Sequence, residues 1–221
     1  MTLKQLLTNS KLRIVAALLL ASGLSIAMLF VRIFYTGHPT YIFLAWNLFL
    51  AWMPFSFALL AHQFSHRPWL LLPLSGLWLL FLPNAPYLIT DLMHLRYSSI
   101  VPIWYDAIMI FSFALSGLLL GFLSLYLMQS LVVRRFGWRL GWLFAWLVLG
   151  LSGLGVYIGR FLRWNSWDIF TSPFNLFNSL LNPELFLKAF VVTALLSLLS
   201  IFAYIIMVSI PRLSLELIPD T

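Results

Sequence analysis

The residues whose types could support chemistry are concentrated in two segments of an otherwise apolar chain. Away from the two ends of the chain there are four acidic residues, and all of them fall within residues 82–106 or residues 159–184. One histidine and three arginines lie in the same segments. Groups of these types that lie close together can hold an anion, relay a proton or lock helices together. The candidate polar site consists of Asn84, Asp91, His94, Asp106, Arg160, Arg163 and Asp168.

The first segment contains two prolines, Pro83 and Pro86, that end regular helix and free backbone carbonyl groups. Irregular backbone at membrane depth persists only where it is buried in protein or lines a wet cavity. If a short helix runs from Thr90 onward, Asp91 and His94 lie three residues apart on one face. That pair could relay a proton or supply two ligands to a cation, and the alternative is a helix cap beside an interfacial histidine. Two groups do not make a metal site, so no metal is assigned.

The second segment places Arg160 and Arg163 three residues apart, on one face if the helix continues. Planar guanidinium groups suit phosphate or carboxylate, including a lipid head group. The alternative is structural: an arginine inside a span costs about 2.5–3.5 kcal/mol on insertion scales, so it needs water or a partner. The partner would be one of three aspartates, and this structural interpretation is slightly favoured. The three aspartates are Asp91, Asp106 and Asp168.

The composition places these segments in a membrane protein. The chain has 62% hydrophobic and only 9% charged residues, with a mean hydropathy of +0.99. A soluble domain carries about 25% charged residues, so this chain could not cover a water-facing surface. We expect an all-α, polytopic bundle of six spans that forms a single transmembrane domain over residues 1–221. The expected spans are residues 14–31, 41–61, 69–89, 107–128, 140–158 and 189–210.

The absence of cysteine from the sequence excludes disulfides, thiolate catalysis and cysteine-ligated metals. Two glycine pairs, Gly117 with Gly121 and Gly155 with Gly159, have the four-residue spacing that lets backbones approach closely in membranes. Glycine is also common in transmembrane helices. For either pair alone, that explanation is about as likely as close packing.

The basic residues predict the orientation. With a cytoplasmic N-terminus, eight lysines and arginines lie inside and five outside, which favours cytoplasmic termini in a plasma membrane. The basic residues then contact anionic lipid head groups, and nucleic acid is not an expected partner. The inside set is Lys4, Lys11, Arg13, Arg67, Arg134, Arg135, Arg139 and Arg212, and the outside set is Arg32, Arg96, Arg160, Arg163 and Lys188.

Three strings of the sequence resemble a bacterial membrane family known as domain of unknown function 1361. The strings are LPNAPYLITDL at residues 82–92, WYD at 104–106 and GRFLRWNSWD at 159–168. The resemblance covers nearly the whole chain. It implies a small bacterial multi-span membrane protein, and it implies no activity and no catalytic residue.

Three functions from different classes fit these residues. The first is a binding or assembly protein whose outer polar cluster contacts an anionic lipid or a membrane-protein partner. The second is a small permease. The third is an interfacial enzyme for a lipid-linked or phosphorylated substrate, with Asp91 or His94 as acid and base and with Arg160 and Arg163 as anion clamps. Known nucleotide, hydrolase and metalloprotease motifs are absent from the sequence, so its cofactor, if one exists, is unknown.

The predicted topology has a direct test. Reporter fusions at Thr221 and in the loop at residues 134–137 should both report cytoplasm, because both follow an even number of spans. An extracytoplasmic signal at Thr221 would mean a miscounted span or an inverted protein.

Overall fold

The computed structural model describes residues 10–96, 100–164, 171, 174 and 183–217, and every element in these ranges is helical. The elements are α1 (Ser10–Thr36), α2 (Phe43–Gln63), α3 (Pro68–Phe81), α4 (Asn84–Tyr87), a 3-10 helix (Leu88–His94), α5 (Ile103–Phe136), α6 (Trp138–Phe161) and α7 (Pro183–Leu217).

Six of the described helical stretches are long and apolar enough to cross a membrane, which confirms the predicted all-α, six-span bundle. They are Leu12–Thr36, Phe43–Gln63, Pro68–His94, Ile103–Phe136, Trp138–Phe161 and Phe190–Ile210. Large apolar side chains cover the outer faces of the bundle, and Phe34 and Leu72 are 92% and 78% exposed. Such a surface is stable in lipid and not in water.

Helix α5 is longer than its expected span, since it runs from Ile103 to Phe136 and not only over residues 107–128. The helix follows Pro102 and ends at Gly137, whose φ of 88° lies in the left-handed region that glycine adopts readily. The apolar stretch marks only the part of α5 that lies in hydrocarbon, and the helix continues beyond it at both ends.

Helix α5 is the centre of the bundle. It contacts α1, α2, α4, the 3-10 helix and α6, and a larger share of it is buried than of any other described span. Helix α7 packs against α6. The ends of α1, the 3-10 helix and α6 and the starts of α2 and α5 meet at one end of the bundle, which we call the site end.

The third span is broken where the two prolines predicted it. Helix α3 ends at Phe81, one turn of α4 follows, and the chain then continues as a 3-10 helix. The side-chain amide of Asn84 donates to the carbonyl oxygen of Phe81 at 2.9 Å. Asn84 therefore satisfies one backbone carbonyl that the break leaves without a helical partner.

The glycine pair of α5 makes room for the broken span. A Cβ atom built on Gly117 would meet the side chain of Leu88 and would lie 2.8 Å from the carbonyl oxygen of Ala85. A Cβ atom on Gly121 would lie 2.7 Å from the Cβ atom of Ala85. Only glycine at both positions allows this backbone to approach α5 so closely.

The glycine pair of α6 contacts the other side of the same turn. A Cβ atom on Gly155 would lie 2.5 and 2.7 Å from ring atoms of Pro83, and one on Gly159 would lie 3.3 Å from the ring of Tyr87. Both glycine pairs therefore pack against the helix break, which is a more specific role than the general helix packing expected from their spacing.

A glycine substitution in α6 tests this packing. Gly155→Ala should lower the free energy of unfolding by about 1–3 kcal/mol, because the new methyl group overlaps Pro83 in a packed interior. Gly150→Ala is the matched control in the same helix, since a Cβ atom there meets nothing within 4 Å. Thermal unfolding in detergent is the measurement. Equal stability of the two variants would contradict the close contact with Pro83.

Candidate functional site

A buried ion pair joins the broken third span to the end of α6. Nη2 of Arg160 lies 2.5 Å from Oδ1 of Asp91, whose side chain is fully buried. The amide of Asn47, in α2, donates to Oδ2 of the same carboxylate at 2.9 Å. Removing a carboxylate from water costs several kcal/mol unless its oxygens are paired. Here both oxygens accept, so three elements are tied at one point.

The other nitrogens of the same guanidinium group are also bound. Nε of Arg160 donates to the hydroxyl of Thr90 at 2.9 Å, and Nη1 donates to the hydroxyl of Tyr87 at 3.3 Å. The Thr90 hydroxyl in turn donates to the backbone carbonyl of Tyr87 at 2.6 Å. The guanidinium carbon lies 4.7 Å from the centre of the Tyr87 ring, a cation–π contact. These contacts fix the plane of the Arg160 fork.

His94 lies beside this pair. Its Nδ1 is 3.3 Å from Nη2 of Arg160 and 3.9 Å from Oδ1 of Asp91. Residues three apart eclipse in a 3-10 helix, so Asp91 and His94 share the face that the sequence predicted. Because an arginine only donates hydrogen bonds, Nδ1 accepts in this contact. The ring proton then lies on Nε2.

Residues at the start of α2 contact His94. The hydroxyl of Tyr41 donates to the carbonyl of His94 at 3.1 Å, and the ring of Phe43 lies 5.0 Å from the imidazole. Burial and the nearby Asp106 carboxylate raise the pKa of Tyr41. Its hydroxyl therefore stays protonated and remains a donor at neutral pH. About 40% of the His94 side chain is exposed, so the imidazole is accessible from outside the bundle.

A second buried ion pair joins the end of α1 to the start of α5. Nε and Nη2 of Arg32, near the end of α1, lie 2.6 and 3.0 Å from the two oxygens of Asp106. Both side chains are buried, and the guanidinium stacks on the ring of Tyr41 at 4.4 Å. Such a bidentate pair is a strong, oriented contact. Asp106 therefore does not serve as the partner of Arg160 or Arg163, which corrects that expected alternative.

A cavity of about 470 Å³ opens at the site end in front of the Arg160–Asp91 pair. Its lining is basic and apolar, and the carboxylate of Asp91 lies behind it with no exposed surface. The lining residues are Tyr87, Met93, His94, Arg96, Gly159, Arg160, Arg163 and Trp164.

The end of α6 turns Arg163 toward this cavity. The helix stops at Phe161, Arg163 has a φ of 59°, and the N–H of Trp164 donates to the carbonyl of Ile158 at 3.3 Å. The expectation of a continuing helix with both arginines on one face is wrong, because a left-handed residue ends it. Arg160 points into the protein, whereas Arg163 is exposed.

One protein-family model matches most of this chain. The model described as "Protein of unknown function (DUF1361)" matches residues 46–208. The chain belongs to the DUF1361 family. This confirms the resemblance, and the matched range contains both polar segments. No curated protein and no solved structure matches the chain.

The candidate residues of this DUF1361 chain thus occupy four different environments. Asp91, His94 and Arg160 meet in one network, and Arg163 reaches the same cavity. Asn84 caps α3, Asp106 pairs with Arg32, and Asp168 lies outside the described residues. Within the described residues, no group of three histidine, aspartate or glutamate side chains could hold a metal ion.

Several partners in the network were not among the predicted site residues. Asn47 was not among the candidate site residues, and Arg32 was counted only for topology. Their positions in the sequence could have indicated this role, because Arg32 and Asn47 both lie toward one end of an apolar stretch. That end is at the same level in the membrane as an aspartate. The other added residues are neutral or exposed, and nothing in the sequence pointed to them. The residues added by the structure are Arg32, Asn47, Tyr87, Thr90, Met93 and Arg96.

Two arginine variants separate structural from exposed charge. Arg160→Met should lower the free energy of unfolding by about 3–5 kcal/mol, because it leaves the buried Asp91 carboxylate without its cation. Arg163→Met is the matched control, because Arg163 lies three residues further along the chain and lines the same cavity. It should change the free energy of unfolding by no more than about 0.5 kcal/mol. Unfolding of both variants in one detergent is the measurement. A larger loss from Arg163→Met would show that the assignment is reversed.

Proposed function

We propose that this DUF1361 protein is a binding protein of the plasma membrane that holds an anionic group in the cavity at the site end. The observation that carries the proposal is the chemistry of the lining. Three arginines and one histidine face the cavity, and the described lining contains no carboxylate. Convergent guanidinium and imidazole donors suit carboxylate or phosphate.

The charge balance supports an anionic ligand. The charge of Arg160 is already neutralised by Asp91. Arg96 and Arg163 are exposed, and no carboxylate of the described residues pairs with either of them. Within the part of the chain that the structure describes, an anion in the cavity would gain these two cations without displacing an ion pair.

The basic residues also support an orientation. With both termini cytoplasmic, the site end lies on the extracytoplasmic side, and the larger basic set lies in the cytoplasm. The cavity would then receive an anion from outside the cell or from the outer leaflet. The ligand or partner would approach from that side without crossing the bundle.

Binding fits the packing better than passage through the bundle. In the half of the bundle away from the cavity, large apolar side chains fill the space between α2, α3, α5 and α6. Trp78, Leu125 and Val148 are buried in this cluster. A permeation path needs water or polar groups that are open along it. In this packed region polar side chains of the described residues bond to one another: Trp78 donates to Ser124, and Tyr204 donates to Gln129.

An enzymatic role receives less support from the same geometry. Asp91 was a candidate acid or base, but its carboxylate is fully buried and both oxygens already accept hydrogen bonds. It cannot reach a ligand in the cavity. His94 is the lining residue that could still transfer a proton, and the described lining supplies no carboxylate or thiol nucleophile to act with it.

Thermal unfolding of the purified full chain in a neutral detergent tests anion binding. Sodium phosphate should raise the midpoint relative to sodium chloride of equal ionic strength, because a ligand that binds only the folded state stabilises it. Arg163→Gln should remove most of this difference. Arg135→Gln, an exposed arginine at the opposite end of the bundle, should preserve it. An equal effect of both salts, or an unchanged effect in Arg163→Gln, would contradict the proposal.

A further inference from the structure

We infer that the anion held in the cavity is a phosphate monoester that carries an organic group, which deepens and rests on the proposed function. Three features of the described lining support such a ligand: its net charge, the number and type of its hydrogen-bond donors, and its size together with its apolar wall. The first two features separate a phosphate monoester from a carboxylate or a phosphate diester, and the third separates it from inorganic phosphate.

The net charge around the cavity matches a dianion. The Arg160–Asp91 pair sums to zero, and so does the Arg32–Asp106 pair between α1 and α5. Among the described residues this leaves two uncompensated cations, Arg96 and Arg163. A phosphate monoester carries about −1.5 to −2 at pH 7, whereas a carboxylate or a phosphate diester carries a single negative charge.

The donors also match a terminal phosphate. Because Nδ1 of His94 accepts from Arg160, its Nε2–H is left to donate into the cavity that His94 lines. With the forks of Arg96 and Arg163, donors come from three separate side chains. A monoester phosphate has three terminal acceptor oxygens, whereas a carboxylate has two. Tight positioning of His94 by Arg160 thus contributes to ligand recognition without direct contact between Asp91 and the ligand.

The cavity is larger than an inorganic phosphate ion would fill. Its volume of about 470 Å³ falls in the range of about 300–1,000 Å³ that is usual for small-molecule sites. Met93 and Trp164 provide an apolar part of the lining. An organic group attached to the phosphate would pack there. A lipid that ends in a phosphate monoester and a soluble phosphate monoester share this chemistry, so the experiment must distinguish the two sources.

Native mass spectrometry of the full chain released from detergent measures the bound lipid. Phosphatidic acid is the lipid monoester probe, phosphatidylglycerol is the diester control, and glycerol 3-phosphate is the soluble monoester competitor. We expect phosphatidic acid to bind about tenfold more tightly than phosphatidylglycerol, the change expected for an additional charge-assisted hydrogen bond. The preference should fall to about twofold in Arg96→Gln/Arg163→Gln, in which the cavity loses both uncompensated cations. Arg135→Gln should keep it.

The outcomes separate the two proposals. Displacement of phosphatidic acid by excess glycerol 3-phosphate supports a monoester site open to soluble ligands, and a retained lipid supports a lipid source. Equal binding of phosphatidic acid and phosphatidylglycerol, lost in the double variant, overturns the monoester inference and leaves anion binding intact. A preference that survives the double variant also overturns the inference, because the lipid then binds elsewhere. If phosphatidic acid, phosphatidylglycerol and phosphate all fail to bind, the proposed function itself is overturned.

Discussion

One buried carboxylate, that of Asp91, sets the requirement that the site end of this protein satisfies. A charge at that depth is stable only if its oxygens are paired. Arg160 from α6 and Asn47 from α2 supply the donors. The consequence is that three elements which are distant in sequence must meet, and the hydroxyls of Thr90 and Tyr87 then fix the arginine in place. The cavity opens in front of this network, and Arg160, held by these contacts, forms part of its wall.

The prolines and glycines of the chain make this meeting possible. Helix α3 breaks after Phe81, and Asp91 lies fully buried on the 3-10 helix that follows the break. The turn can pack deeply because Gly117 and Gly155 leave no Cβ atoms in its way. Electrostatic and steric requirements therefore act on the same short segment.

The sequence was sufficient for the features that depend on local chemistry. Composition and the lengths of the apolar stretches predict the six helices, and proline spacing predicts the break in the third. It could not choose among the aspartates, because pairing depends on how far each helix is rotated and on its depth. Thus Arg32 proved to be the partner of Asp106. Nor could it place Arg163, because a left-handed residue at a helix end depends on the path of the following chain.

The central claim is that Asp91 and Arg160 act as one unit, and a double-mutant cycle tests it most directly. Asp91→Ala, Arg160→Ala and the double variant would be unfolded in the same detergent and compared with the parent protein. A direct ion pair predicts that the double variant is less destabilised than the sum of the singles by about 1–3 kcal/mol. Additive losses, within about 0.5 kcal/mol, would mean that the two side chains do not interact and would contradict the account.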